Sequence, residues 1–375
     1  MPVVLQLISS VGFFGAENVL LEIAKGLANT KYRPIVGVLR NSWNPHLELA
    51  HEASKYHLDV QEFECKAQFD AKTIFEIRSF IEQKRVSIIQ PHGYKADFYS
   101  FFAGWGKKVK ILATCHPWTE TSYNYRAKFY SWLDKKILKT FNRVIAVSDS
   151  VERELSQAGI PKEKLAIIDN GIDINRFHRS YDHQKLYHDL KIASERIVIG
   201  TVGRLVEEKG HVFLLEATKQ LISSHPSLMV IIIGEGPLME KLNRMVDDLG
   251  LQKHVLLTGL RNDIPQMLAL MKVFVLPSIS EGLPMALLEA MASMTPIVAT
   301  GVGNIPKLIV HERTGILINP GNPIEIKEGI LKLLNDEEYA QKLAQNAHDI
   351  VVSRFSNRAM ASQYAKYYSQ ICSEK

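Results

Sequence analysis

The chain has 375 residues, 23% charged and 46% hydrophobic, with 22 Gly and 15 Pro, more than one ordinary core supports, so two domains are expected. This composition excludes disordered, collagen-like and disulfide-stapled chains; no apolar run approaches the roughly 18 residues of a membrane span, and the opening ten residues read as a first strand rather than a signal peptide. The net charge of +5 is modest but uneven: residues 101–145 hold nine Lys and Arg against Glu120 and Asp134, a patch that bears on surfaces and partners rather than on fold. Cys65, Cys115 and Cys372 are too scattered for a disulfide framework or a Cys-rich metal site, and a reducing cytoplasm is the expected location.

In chain order, apolar runs of strand length occur at 3–8, 35–39, 86–90, 109–114, 144–147 and 165–168, then at 197–202, 228–233, 254–257, 273–276, 297–299 and 316–318. Nearly all are continuous rather than alternating, which predicts parallel strands covered on both faces. Helical patterns at 17–28, 73–84, 211–223 and 237–249 fit right-handed crossovers between them. The fold class is therefore α/β, with two doubly wound Rossmann-like halves facing across a cleft, and a ligand is expected at the carboxyl ends of the strands. Asn170-Gly171 is a strong turn signal in a strand-poor stretch, which divides the chain into 1–174 and 175–354. A closing amphipathic helix follows at 355–371. His178, His183 and His188 are five apart and do not share a helix face at the spacing metal ligands need, so no metal site is expected there.

The most informative stretch is Ser278-Ile-Ser-Glu281-Gly282-Leu283-Pro-Met-Ala-Leu-Leu-Glu289-Ala-Met-Ala-Ser-Met294, between two buried strands. Pro284 suits the first turn of a helix. Glu289 is the one charge from Leu283 to Met294, so an otherwise apolar, buried helix must pair or neutralise it. A ribose diol would satisfy both carboxylate oxygens, and so would a distant structural partner. Glu281 precedes the helix, with Gly282 admitting close backbone approach. The two glutamates are too far apart to act as a glycosidase pair on one bond and are read as two anchors for one extended ligand.

A second constellation, Gly200-Thr-Val-Gly203-Arg204-Leu-Val-Glu-Glu-Lys209-Gly210, sets Arg204 and Lys209 in one glycine-bounded loop where both can converge on a diphosphate. It lacks the ending of a P-loop. The pairs Gly12/Gly15, Gly234/Gly236 and Gly301/Gly303 each miss the dinucleotide fingerprint, which counts against an NAD dehydrogenase. His116, after the strand at 109–114, is placed to face a ligand; His92 is placed likewise on weaker grounds. Cys115 is not its nucleophilic partner on adjacency alone.

Glu281-x7-Glu289 with Glu281-Gly-Leu-Pro and the preceding Val-Leu-Pro-Ser resembles the signature of retaining nucleotide-sugar glycosyltransferases of family 4. Val147-Ser148, Asn170-Gly-Ile-Asp173, Phe177, Gly203-Arg204-x4-Lys209-Gly210, Ile233-Gly-Glu-Gly-Pro237, Gly259 and Arg261 follow in the family's order over nearly the whole chain. The resemblance implies a GT-B fold with an acceptor-binding first domain and a donor-binding second, the closing helix packing back on the first. It assigns Arg204 and Lys209 to the donor diphosphate and Glu289 to the ribose. Glu281, with the backbone of Gly282 and Leu283, would take the transferred sugar, and His116 would approach that sugar. Gly15 would lie near the phosphates and the backbone of Arg261 near the base; Asn170 joins the donor-binding set. No cofactor and no metal are implied; the partners are a nucleotide sugar and a saccharide or lipid-linked acceptor, with no nucleic acid. Phe14 stands where the family often has glycine, and Gly303-Asn304-Ile-Pro306-Lys307 departs from a Gly-Gly-x-Pro-Glu pattern.

The expected reaction is transfer of a hexose-type sugar, with the departing diphosphate stabilised by Arg204, Lys209 and a helix N-terminus. A nucleotide-sugar epimerase or hydrolase, or a non-catalytic sensor, are the rival readings. The aromatic and basic stretch 123–141, with Lys107, Lys108 and Lys110 nearby, could lie on an anionic bilayer at the inner face of a membrane, or pack its aromatics on the sheet.

Overall fold

A computed structural model describes residues 1–10, 12, 15–42, 45–67, 69–116, 125–177 and 181–374, with backbone only for 125–129. It forms two compact units, Met1–Asp173 with Phe355–Lys375, and Ile174–Arg354. The first holds a parallel sheet of β1 (Val3–Ile8), β2 (Arg33–Asn41), β3 (Asp59–Cys65), β4 (Val86–His92), β5 (Lys110–Cys115), β6 (Arg143–Ala146) and β7 (Leu165–Ile167), in the order β3-β2-β1-β4-β5-β6-β7. The second holds β8 (Ile197–Val202), β9 (Leu228–Ile233), β10 (Val255–Gly259), β11 (Val273–Leu276), β12 (Ile297–Thr300) and β13 (Ile316–Ile318), in the order β10-β9-β8-β11-β12-β13. Both sheets reverse direction of growth at an inner pair, β1 with β4 and β8 with β11. Open α/β sheets bind ligands beyond the carboxyl ends of strands at such a switch point.

The continuous apolar runs are central strands with side chains buried on both faces. In β1, Leu5 and Leu7 pack with Ile35, Ile77 and Tyr99 on one face, while Val4 on the other meets Ile23, Leu27, Ile88 and Leu112. The second unit is built in the same way around Ile199, Val230, Ile232, Val275 and Val298, closed by Leu214, Leu215, Ile330 and Leu333 from helices. Each fully buried aliphatic side chain contributes about 1.5–3 kcal/mol relative to exposure, so each unit has a core of its own.

β3 is an element that continuous apolarity does not reveal. Its sequence Asp-Val-Gln-Glu-Phe-Glu-Cys alternates, and only Phe63 and Cys65 are buried, because an edge strand has one neighbour and a solvated face. The closing helix runs Asn357–Ser373 rather than 355–371, with Ser356 as its N-cap accepting from the Ala359 N–H. Met360, Ala361, Tyr364, Tyr368 and Ile371 enter the core of the first unit. Gly26 on the helix Gly15–Leu27 allows the contact: a Cβ there would stand 2.5 Å from the Asn357 carbonyl oxygen and 2.6 Å from the Ala361 Cβ. The ion pair of Lys25 with Asp173 (2.5 Å) and a bond from Asn357 to Glu22 (2.8 Å) pin the same junction. Of the three histidines spaced five apart, His183 opens a short helix, His183–Asp189, His188 is exposed, and His178 lies outside the described residues. Among the described residues no cluster of His, Cys, Asp and Glu could hold a metal, and no helix is long and apolar enough to cross a membrane.

Candidate active site

In the second unit, the segments after β8, β11 and β12 meet at the carboxyl edge of the sheet. The Arg204–Gly210 loop is fastened to the loop after β11 through its backbone: Ile279 N–H donates to the Glu208 carbonyl (2.8 Å). Gly210 has φ +63°, and a Cβ there would lie 2.1 Å from the Pro277 carbonyl oxygen, so glycine is required by both conformation and space. Lys209 Nζ and Ser278 Oγ donate to the same oxygen of Glu281, at 2.5 and 2.7 Å. Thr300 Oγ1 in turn holds the Ser278 carbonyl (2.6 Å).

The close backbone approach expected at Gly282 is made elsewhere. Gly282 is exposed and a Cβ on it would meet nothing within 4 Å. It is Gly303, at φ +55°, whose Cβ would stand 1.8 Å from the Glu281 carbonyl oxygen. Gly303 thus sets the backbone of Glu281, and the departure at Asn304–Lys307 begins just after the position that does so.

Arg204 is exposed and its guanidinium has no partner among the described residues. Its backbone is anchored: His211 donates from Nε2 to the Arg204 carbonyl (3.2 Å). Burial and the nearby Lys209 push His211 down to about 4, so this donor is a neutral imidazole. Arg204 and Lys209 therefore differ in state, one cation open and the other occupied by Glu281. Arg261 has its guanidinium paired with both oxygens of Asp263, which leaves its backbone as the part able to meet a ligand.

Glu289 lies on the helix Met285–Ala292, whose other side chains are mostly buried. Its carboxylate is partly open rather than fully enclosed and makes no hydrogen bond among the described residues. Burial pushes it up to about 7, moderated by Arg176. A carboxylate held in that state has acceptor capacity to spare. Arg176 and Thr300 carry no local sequence signal for these roles, since the fold brings them in from separate segments, whereas Ser278 belongs to the Val-Leu-Pro-Ser run just before Glu281.

In the first unit, the carboxyl edge near β1 and β4 carries Gly15, His92 and His116. Gly15 begins a helix and faces open space, while its neighbour Phe14 lies outside the described residues. His116 follows β5, partly exposed, and burial of most of its ring pushes it down to about 4. His92 is the last residue of β4, buried, with Nδ1 3.3 Å from His116 Nε2. Cys115 is buried, and burial with the nearby Asp97 and Asp134 holds its thiol far above the usual range, so it is no nucleophile. Asn170 has a buried side-chain oxygen without a hydrogen-bond partner among the described residues.

Two family descriptions match the chain in succession: glycosyltransferase family 4 over residues 14–176 and glycosyl transferases group 1 over 182–349. An Escherichia coli UDP-Gal:alpha-D-GlcNAc-diphosphoundecaprenol alpha-1,3-galactosyltransferase is 28% identical over 295 residues, 76% of each chain. The capsular polysaccharide biosynthesis glycosyltransferase CapM of Staphylococcus aureus is 28% identical over 319 residues, 81% of this chain and 82% of its own. Among solved structures, HepE of Anabaena in complex with UDP-glucose superposes with a TM-score of 0.77 at 25% identity, over 98% of this chain and 99% of that one. Two parallel Rossmann-like sheets in one chain, matched by these two descriptions over 14–176 and 182–349, make this protein a family 4 glycosyltransferase of the GT-B fold.

Proposed function

We propose that the enzyme moves a hexose-type sugar from a nucleoside diphosphate donor, UDP-linked in the first instance, to a hydroxyl of a saccharide or lipid-linked acceptor in cell-surface polysaccharide or glycolipid synthesis, with retention of anomeric configuration. The carrying observation is the second unit's edge, where an open Arg204, the Lys209–Glu281 pair and an unbonded Glu289 carboxylate stand at the sheet's switch point. The names of the similar proteins support a UDP-sugar donor and an envelope product.

In this reading Arg204 takes the diphosphate first, and Lys209 exchanges Glu281 for a phosphate oxygen. The freed Glu281 carboxylate and the backbone of Gly282 and Leu283 accept and donate to the sugar, while Glu289 receives the ribose diol. Within the second unit the Arg261 backbone completes the donor contacts; in the first unit Gly15, Asn170 and His116 are the residues read as substrate contacts. Charge on the leaving diphosphate is stabilised by the cations of Arg204 and Lys209 and the backbone N–H groups opening the helix Met285–Ala292. The acceptor hydroxyl attacks the anomeric carbon from the side the phosphate leaves and passes its proton to a departing phosphate oxygen, which needs no protein nucleophile. No divalent metal takes part, because Arg204 and Lys209 do the work a cation performs elsewhere.

The test is incubation of the protein with radiolabelled UDP-glucose and UDP-galactose and a panel of saccharide and polyprenyl-linked acceptors, with and without EDTA. Labelled product with the donor's anomeric configuration, formed equally in EDTA, is expected. Donor breakdown without labelled acceptor would make the protein a hydrolase, and complete, metal-reversible loss in EDTA would remove the metal-free mechanism.

A further inference from the structure

A ladder of buried polar side chains runs across the carboxyl half of the first sheet. Gln90 and His92 share one face of β4, and each meets the residue 24 positions on: Gln90 Nε2 donates to Thr114 Oγ1 (2.7 Å), and His92 Nδ1 lies 3.3 Å from His116 Nε2. The first rung continues to the closing helix, where Tyr364 meets Thr114 (3.2 Å) and Tyr368 donates to Gln90 Oε1. The second continues into β1, where Gln6 Oε1 lies 3.1 Å from His92 Nε2. Gln6, Gln90 and Thr114 are fully buried and His92 is 3% exposed. Polar groups taken out of water in this way cost stability unless they are bonded, and a bonded network fixes the orientation of its members.

The second rung has a direction. With the Gln6 amide as it stands, Oε1 towards the ring and Nε2 buried without a partner among the described residues, the oxygen only accepts, so His92 Nε2 carries a hydrogen and donates it to Gln6. A neutral imidazole then has only Nδ1 as acceptor, so the hydrogen between the two rings belongs to His116 Nε2. Neutrality is enforced by burial, which pushes His92 well below the usual histidine range and His116 to about 4. What remains on His116 is the Nδ1 lone pair, which makes no hydrogen bond among the described residues. The rings lie 5.6 Å apart and 28° from parallel, so neither turns without losing the bond.

We propose that His92, oriented by Gln6, is a positioning residue that holds His116 in its Nε2–H tautomer, so that His116 presents Nδ1 as a hydrogen-bond acceptor to a substrate hydroxyl. This rests on the reading of His116 as a substrate contact. It makes His116 selective for a hydroxyl over an ether or a deoxy position at the sugar carbon it meets, because only an O–H can donate to that lone pair.

Long-range proton–nitrogen correlation spectra of the full chain labelled at histidine ring nitrogens test it without any ligand. Both His92 and His116 are expected in a single Nε2–H tautomer between pH 6 and 8. A hydrogen on Nδ1 of His116, or fast averaging of its two tautomers, would overturn the proposal whatever the activity. His92→Phe removes the acceptor and should release His116 into tautomer averaging, with kcat for UDP-glucose or UDP-galactose down roughly three- to ten-fold, the range one net hydrogen bond supplies, and donor KM within about two-fold. His92→Gln, whose amide can accept from His116 and donate to Gln6, should restore both the tautomer and kcat. The wild-type spectrum decides the case even if the Phe variant does not fold. The stated tautomer together with wild-type turnover in His116→Ala would overturn His116 as a substrate contact, and the role of His92 with it.

Discussion

Glu289 holds an unbonded carboxylate whose ionisation burial opposes, and that cost is readable in solution. Its folded value of about 7 exceeds the unfolded value near 4.5, so the native state binds the proton more tightly. Stability contributed by the protonated form is complete below about 4.5, declines as the unfolded chain ionises, and is lost once pH passes 7. Glu289→Gln should therefore raise the melting temperature at pH 8 and leave it unchanged at pH 4. The same change should weaken UDP binding, since a diol donates best to a carboxylate, and wild-type affinity for UDP should rise from pH 6 to pH 8 in calorimetry while the variant stays flat. A pH-independent wild-type affinity would return Glu289 to a structural role. Arg204→Ala and Lys209→Ala should each lower kcat/KM roughly ten- to two-hundred-fold, the value of a charge-assisted bond to phosphate. Their melting temperatures should differ: Arg204 is open, whereas losing Lys209 leaves Glu281 with Ser278 alone. Equal melting temperatures would show that the Lys209–Glu281 pair is not formed before donor binds.

At the scale of elements, two glycines of the same site separate shape from sequence pattern. Gly282→Ala meets open space and should leave the melting temperature unchanged, while Gly303→Ala, at positive φ and 1.8 Å from the Glu281 carbonyl oxygen, should displace the Glu281 loop and cut kcat. The reverse ranking in thermal melts and kinetics would show that the loop after β12 does not set Glu281. The strands were legible as continuous apolar runs because most are covered on both faces, and β3 was not, because its charged residues point to water at an edge. Arg204, Lys209, Glu281 and Glu289 could be found because two short segments contain all four. Arg176, Thr300, Gln6 and the bond of His92 to His116 could not, since register between distant strands brings them into place. Gly26 belongs to this class too. Gly26→Val should push the closing helix Asn357–Ser373 from its seat at a cost of about 1–3 kcal/mol, seen as a lower urea midpoint.

For the whole molecule, the bilayer contact expected from the local charge excess at residues 101–145 is open to test at the exposed aromatics beside it. Trp132 on the helix Tyr125–Leu138 is exposed, with Lys136 Nζ 5.9 Å from its ring centroid, while Leu133 packs against the core. Of the aromatic residues in the stretch 123–141, Trp132 is thus exposed and Phe141 buried, and the side chains of residues 125–129 lie outside the described set. On the helix Tyr94–Gly104 and just beyond it, Phe102 and Trp105 are also exposed, the latter by 64%. Arg78 holds this end in place by donating to the carbonyls of Phe102 (3.1 Å) and Trp105 (2.8 Å). Aromatic rings at an interface with lysines beside them suit an anionic bilayer, where each basic side chain near the surface contributes about 1 kcal/mol and salt screens the attraction. Sedimentation with phosphatidylglycerol vesicles should therefore carry the protein down at low salt and less of it at high salt. Lys135→Glu with Lys136→Glu should abolish the salt-sensitive part, and Trp105→Ser should weaken binding at every salt concentration, since the ring acts through burial and not charge. No sedimentation at low salt, or sedimentation indifferent to the two charge reversals, would leave the patch as a solvated face and place acceptor delivery in solution.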